Sequence, residues 1–275
     1  MVALFLPIVL SLTRFIPGFR KSATVAFING TLIQAAVWGQ KHPEPVAAVA
    51  GGVLSPTRGQ ALYIALLSFL NAIFLVAPYV HTHPQSTFAS GSDEQSVSTI
   101  GNRAGVMAMG NAVVMALFAT RNNVLLAVTD WSHGTYIVLH RWLGYWTIFH
   151  TVLHSILLLV NYKKYGSYAD ELARMYWIWG IMATVAVCAI LPTSLLVVRQ
   201  RMYEFFKASH VGMTVLFIVG YYYHIWYCYG FSWGYEIFAY VIGGIWGLEH
   251  VVRIARLAKN GVRRGWQRTA CARRA

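Results

Sequence analysis

Charge is what this chain has least of. Asp, Glu, Lys and Arg make up 11% of its 275 residues, where soluble domains carry roughly 25%. Cysteine is also scarce: Cys188, Cys228 and Cys271 are the only three, and no CxxC occurs. Neither a disulfide framework nor a zinc site is therefore expected. No GxGxxG loop in a strand–helix context is present, so no nucleotide-binding loop is expected. The apolar runs contain no regular arginine ladder and no midplane carboxylates, the features a voltage sensor or ion-coupled transporter would need. No basic region precedes MVALFLPIVLSL at the start, and no clear small-residue cleavage site follows it. The segment reads as an amphipathic helix or partial span rather than a signal peptide.

What the chain has in abundance is apolar length. Hydrophobic residues make up 57%, and runs of about 20 residues, the length of a membrane span, fall near 60–80, 104–120, 134–160, 173–198, 207–227 and 233–252. The fold class is an all-α polytopic membrane protein with a six-helix core. A weaker apolar stretch at 23–39 is either an additional N-terminal span or an interfacial helix. Two stretches, 41–59 and 81–102, read as loops from their Pro, Gly and polar content. His81, His83, Asp93 and Glu94 belong to the second and read as solvated loop residues.

Net charge is +13, and its distribution sets orientation rather than suggesting nucleic acid, which is not an expected partner. With the residues before 60 on the cytoplasmic side, seventeen Lys and Arg fall on that side. Four, Arg103, Lys163, Lys164 and Arg174, fall on the other. This is a positive-inside distribution, and the basic tail then faces anionic lipid.

The spans nevertheless hold histidines. His140 and His154 are 14 residues apart in one run, and His210 and His224 are 14 apart in another. Fourteen residues at 100° each return to within about 40° of the starting face, with a rise of roughly 21 Å. A single span separates the two runs, so they lie parallel. His140 then stands level with His210, and His154 with His224. Each level offers two imidazoles from opposite sides and nothing else. Zinc wants three or four protein ligands, whereas two axial imidazoles suit a haem iron. The spacing therefore points to two stacked haems, with the four histidines as ligands to their iron. His150, one turn before His154, lies near the same face. It is open as a propionate contact, a proton donor or a partner for a polar neighbour. Gly144, Gly212 and Gly220 would admit a flat macrocycle or serve close helix packing equally well. Trp146, Phe149, Phe217 and Tyr221 at intermediate depth read chiefly as packing. Arg103 and Arg141 are candidates for haem propionates, with snorkelling to the interface as the alternative. Asn111 is a candidate for a polar helix contact. Glu249 and Arg253 are spaced for an i,i+4 pair.

These runs carry a resemblance. The twin His-x13-His spans resemble the ferric reductase-like transmembrane domain shared by fungal metalloreductases and NADPH oxidases. PTRGQALYIALLSFLNAIFL at 56–75, NRAGVMAMGNAVVMALFATRNN at 102–123, LHRWLGYWTIFHTVLH at 139–154 and FFKASHVGMTVLFIVGYYYH at 205–224 are similar to its fungal ferric reductase branch. The resemblance covers about 56–257. It leaves 1–55 as an N-terminal segment and 258–275 as a basic cytoplasmic tail.

What the resemblance implies is two haem b groups, held by His140 with His210 and by His154 with His224. It also implies ferric or cupric chelates as acceptors at the outer face, in the plasma membrane, and NADPH-derived electrons delivered through FAD. The family's flavin and nicotinamide module has no counterpart after residue 258 of this sequence. The electron donor is then a separate flavoprotein, or the sequence is part of a longer chain or an inactive paralogue. Superoxide production is the alternative outcome for the same wire. A haem-free channel or transporter is the alternative from another class.

Overall fold

Residues 2–37, 45–46, 53–77, 91–129, 131–166 and 168–272 are described by the structure, a computed structural model. Eleven α-helices occur among them: α1 Val2–Leu12, α2 Ala23–Ile28, α3 Arg58–Val76, α4 Ser92–Ala119, α5 Val124–Thr129, α6 His133–Lys164, α7 Tyr168–Leu172, α8 Met175–Thr193, α9 Leu196–Arg201, α10 Tyr203–Tyr229 and α11 Ile237–Ala272. Six of these, α3, α4, α6, α8, α10 and α11, are long and apolar enough to cross a membrane. The chain is an all-α polytopic membrane protein.

Local chemistry sets the helix ends. Thr57 and Gln60 form a reciprocal capping box at the start of α3, which satisfies two of the first-turn amides. Ser132 caps α6 by accepting from Thr135 N. Pro192 lies in the last turn of α8, and the chain turns at Ser194 into α9.

The weaker stretch at 23–39 does not form a full span. Its apolar helix is Ala23–Ile33, α2 continued by a π-helical turn at Asn29–Ile33. At 1.5 Å per residue it is about half the thickness of a hydrocarbon core. Arg58 Nη1 donates to Thr31 O and ties the segment to the start of α3. The first helix, α1, packs on α5, and Ser11 Oγ donates to Thr129 O.

The second expected loop is shorter than its composition suggests. α4 begins at Ser92, with Asp93 and Glu94 in its first turn, where carboxylates complement the helix dipole. Composition marked only the apolar part of this helix. His81 and His83 lie outside the described residues.

Packing follows small residues. α4 carries Gly101, Ala104, Gly105, Ala108 and Ala112, all buried, and it lies along α6. α8 presents Ala183, Ala186 and Val187 to α10. Without a hydrophobic drive in lipid, close approach of backbones supplies the van der Waals contact that holds such helices together. α6 and α10, by contrast, pack only sparsely on one another. They are held apart and parallel by the α4–α6 and α8–α10 pairs.

Candidate functional site

Across the gap between α6 and α10 the histidines meet in two pairs. The ring centroids of His140 and His210 are 6.1 Å apart, and those of His154 and His224 are also 6.1 Å apart. The end of the bundle carrying the first pair is termed inner and the other outer, after the charge distribution. A buried apolar cluster that includes Ala112, Ala183, Val187 and Phe217 joins α4, α8 and α10.

The second ring nitrogen of each histidine is engaged. His140 Nδ1 donates to Met115 O at 2.9 Å, His154 Nδ1 to Gly101 O at 2.8 Å, and His224 Nδ1 to Tyr176 O at 2.8 Å. A carbonyl only accepts, so these three imidazoles carry their proton on Nδ1 and leave Nε2 as a lone pair. His210 Nδ1 lies 3.0 Å from Ser194 Oγ, a partner that suits the same tautomer. Each ring is thus anchored by a neighbouring helix or turn: α4 for the α6 histidines, and α8 with its terminal turn for the α10 histidines. This is the outer-shell arrangement that orients metal-binding histidines.

The geometry fits a metal between the rings. Two imidazoles bound to one ion at about 2 Å from opposite sides place their centroids roughly 6 Å apart. The separation of α6 from α10 leaves room for a flat group there. A cavity of about 280 Å³ adjoins the outer pair, lined by His154, His224, Gly105, Gly180, Thr184 and Phe217 among others. No cluster of three or more His, Cys, Asp or Glu occurs among the described residues, so the four further bonds of a six-coordinate iron would have to come from a macrocycle.

Two glycines that sequence reasoning passed over lie against the outer histidine pair. A Cβ on Gly105 would lie 2.9 Å from His154 Nδ1, and one on Gly180 would lie 2.8 Å from His224 Nδ1. They admit the backs of the imidazole rings. The signal was the run of small residues in GNRAGVMAMG, but nothing in the sequence says which ring they receive. Of the glycines that sequence singled out, Gly220 packs against the Ala183 backbone, where a Cβ would meet the nitrogen at 3.1 Å. Its role is helix packing. Gly144 faces Met115 Sδ at 3.6 Å, and Gly212 has open space around it.

His150 turns away from both pairs. It is fully buried, and its Nε2 donates to Asn71 Oδ1 at 3.1 Å. Asn111 Nδ2 donates to the same oxygen at 2.6 Å. Trp146 stacks on the His150 ring and donates to Ser68 Oγ. His150 therefore belongs to a polar seam joining α3, α4 and α6. Its Nδ1 has no hydrogen-bond partner among the described residues.

Arg103 stands at the outer level, two residues from the carbonyl that anchors His154. Its Nη1 donates to Phe74 O and Ala77 O at the end of α3, a capping contact for orphan carbonyls. Arg141 stands beside His140 at the inner level. Glu249 does not form the expected pair with Arg253. Its carboxylate instead accepts from both Asn122 N and Asn122 Nδ2 at 2.9 Å. A backbone amide and a side-chain amide together hold it more firmly than a flexible, exposed arginine would.

A six-helix bundle with two level-matched histidine pairs belongs to the class of multi-pass integral membrane proteins. Comparison gives the family. Residues 104–221 match the family described as "Ferric reductase like transmembrane component", and this core of the chain belongs to it. A "Probable ferric reductase transmembrane component" of Candida albicans is 29% identical over 211 residues, 77% of this chain and 31% of that protein. "Ferric/cupric reductase transmembrane component 1" of Candida albicans is 29% identical over 77% of this chain and 27% of that protein. "Ferric reductase transmembrane component 4" of Saccharomyces cerevisiae is 30% identical over 81% of this chain and 30% of that protein. The chain spans about a third of the length of these relatives.

Proposed function

We propose that this chain is the membrane electron-transfer core of a ferric-chelate reductase. It carries single electrons from the cytoplasmic side to ferric, or cupric, chelates outside. The reading rests on the family match and on one observation above all: two histidine pairs at 6.1 Å whose Nδ1 atoms are already engaged. His140 with His210, and His154 with His224, would each hold one haem b through Nε2. Bound haem iron supplies reversible one-electron chemistry, and two groups at two depths supply a relay across the bilayer.

The residues around the ligands keep the imidazoles neutral, oriented and dry. The carbonyls of Met115, Gly101 and Tyr176 fix the tautomer and the orientation of the rings. Phe217 and its alanine neighbours exclude water where α4, α8 and α10 meet. Arg103 and Arg141 put a cation at the outer and inner level respectively, and each would pair with a propionate at its own level. The electron source is a reduced flavin fed by NADPH, on a separate flavoprotein or on a further part of the same protein. A cell-surface relative, the "Probable cell surface ferric reductase kap2" of Aspergillus oryzae, is 28% identical over 84% of this chain. It supports the plasma membrane as the site of action.

The test is a dithionite-reduced minus oxidised absorption spectrum of the purified chain, with haem measured per protein. The expected result is a b-type spectrum at two haems per chain. Well-folded protein without haem would overturn the reading.

A further inference from the structure

The bundle has a second cavity outside the histidine frame. It lies at the outer end and measures about 360 Å³. Tyr162 from α6, Glu171 from α7, Arg174 and Tyr176 at the start of α8, and Tyr227 and Cys228 at the end of α10 line it. Tyr176 lines the cavity beside the outer histidines as well, so one residue separates the two spaces. On one side its carbonyl accepts from His224 Nδ1 at 2.8 Å, and its ring lies 5.8 Å from the His224 ring. On the other side its hydroxyl donates to Glu171 Oε2.

The mouth of the cavity carries an ion pair whose cation is the more exposed partner. The other oxygen of Glu171 pairs with Arg174 Nη1 at 3.3 Å, so this carboxylate is neutralised within the wall. The Arg174 side chain is 61% exposed while Glu171 is 13% exposed. Its other guanidinium donors have no partner among the described residues. Lys163 and Lys164 follow Tyr162 at the end of α6. Arginine presents a planar fork suited to carboxylates, and tyrosine hydroxyls add directional donors to an otherwise amphipathic wall.

We propose that this cavity docks the electron acceptor as an intact, anionic, carboxylate-bearing ferric chelate, with Arg174 and the wall tyrosines holding the chelator and Tyr176 separating it from His224. The inference rests on the electron-transfer reading above. A bare metal ion is a poorer occupant, because the donors of the cavity form no cluster of three His, Cys, Asp or Glu. Dioxygen is poorer too, since it gains nothing from guanidinium and phenol donors. The step served is a one-electron reduction: iron(III) in the chelate becomes iron(II), and the electron comes from the reduced flavin at the inner face. No proton moves and no covalent bond breaks.

Cys228 supplies a readout that needs no haem. It is a free, exposed thiol in the cavity wall. The full chain, in sealed vesicles, is treated from the outer side with a membrane-impermeant maleimide, and Cys228 labelling is followed by mass spectrometry. Gallium(III) citrate, which cannot be reduced under these conditions, is the probe. Millimolar gallium citrate is expected to slow labelling at least 5-fold in the wild type and less than 2-fold in Arg174→Gln. Tyr227→Phe, which keeps the cavity volume, is expected to give an intermediate protection. Equal labelling rates with and without gallium citrate in the wild type would overturn the proposal, as would undiminished protection in Arg174→Gln. A second arm mixes dithionite-reduced, haem-loaded chain with ferric citrate. Oxidation as fast in Arg174→Gln as in the wild type overturns the docking site and leaves the electron-transfer reading intact. Protection by gallium with no oxidation by ferric citrate sinks the electron-transfer reading and leaves the binding site.

Discussion

The four paired histidines are held by the protein's own hydrogen bonds. In three of them a main-chain carbonyl dictates the tautomer, and a glycine or methionine on the neighbouring helix receives the ring. This makes Gly180 a sharper probe than the ligands themselves. Gly180→Ala puts a Cβ 2.8 Å from His224 Nδ1, closer than real Cβ contacts allow. The variant is expected to stay folded and to bind one haem per chain rather than two, read by pyridine haemochrome against protein. Gly110→Ala, with open space around the added carbon, should keep two. The histidine spacing was legible in the sequence because period and rise are properties of any helix. Neither the anchoring carbonyls nor the polar seam at His150 could be read there. A backbone oxygen carries no sequence signature, and Asn71 meets His150 only through the packing of α3 against α6. Asn71→Leu removes an acceptor shared by His150 and Asn111 and leaves buried donors unpaired. That costs about 1–3 kcal/mol per group, and it should appear as a lower melting temperature with the haem ratio unchanged.

Among the elements, α4 and α8 do the positioning, though neither contributes a ligand. Their small residues let α6 and α10 come close enough for a carbonyl to reach a ring. Replacing one of those small residues by a large one should separate a helix pair. Gly220→Leu drives a side chain into the Ala183 backbone, where even a Cβ lies at 3.1 Å. The expected result is a loss of about 1–3 kcal/mol from overpacking and a lower melting temperature in detergent, with haem lost at the outer level first. α11 is fastened differently, by the bidentate grip of Glu249 on Asn122 between α4 and α5. Six spans were legible from apolar length. The extra ten or so residues at the start of α4 were not, because that part of the helix is polar and its stability comes from its dipole and from α6.

The whole molecule is two helix pairs, α4–α6 and α8–α10, each packed far more extensively within itself than against the other. α3 and the N-terminal segment lean on the first pair, and α11 bridges to it through α4. A group held between α6 and α10 would bind the folded bundle and not the unfolded chain, so it should stabilise by mass action. Removing haem by competition with apomyoglobin is expected to lower the melting temperature by several degrees while the helix content by circular dichroism persists. An unchanged melt would count against any group shared by the two pairs.

The gap between α6 and α10 has one more consequence. A bundle of two tightly packed helix pairs, with a seam that runs between the paired histidines, can be cut along that seam. A chain cut in the α6–α8 connection, near Gly166, leaves His140 and His154 on one fragment and His210 and His224 on the other. Co-expressed, the two pieces should find each other through α11, which packs on α4 and holds Asn122 through Glu249, and through shared iron coordination. Chain continuity would then be dispensable, with α11 as the clasp between two bricks and a bound cofactor as the mortar.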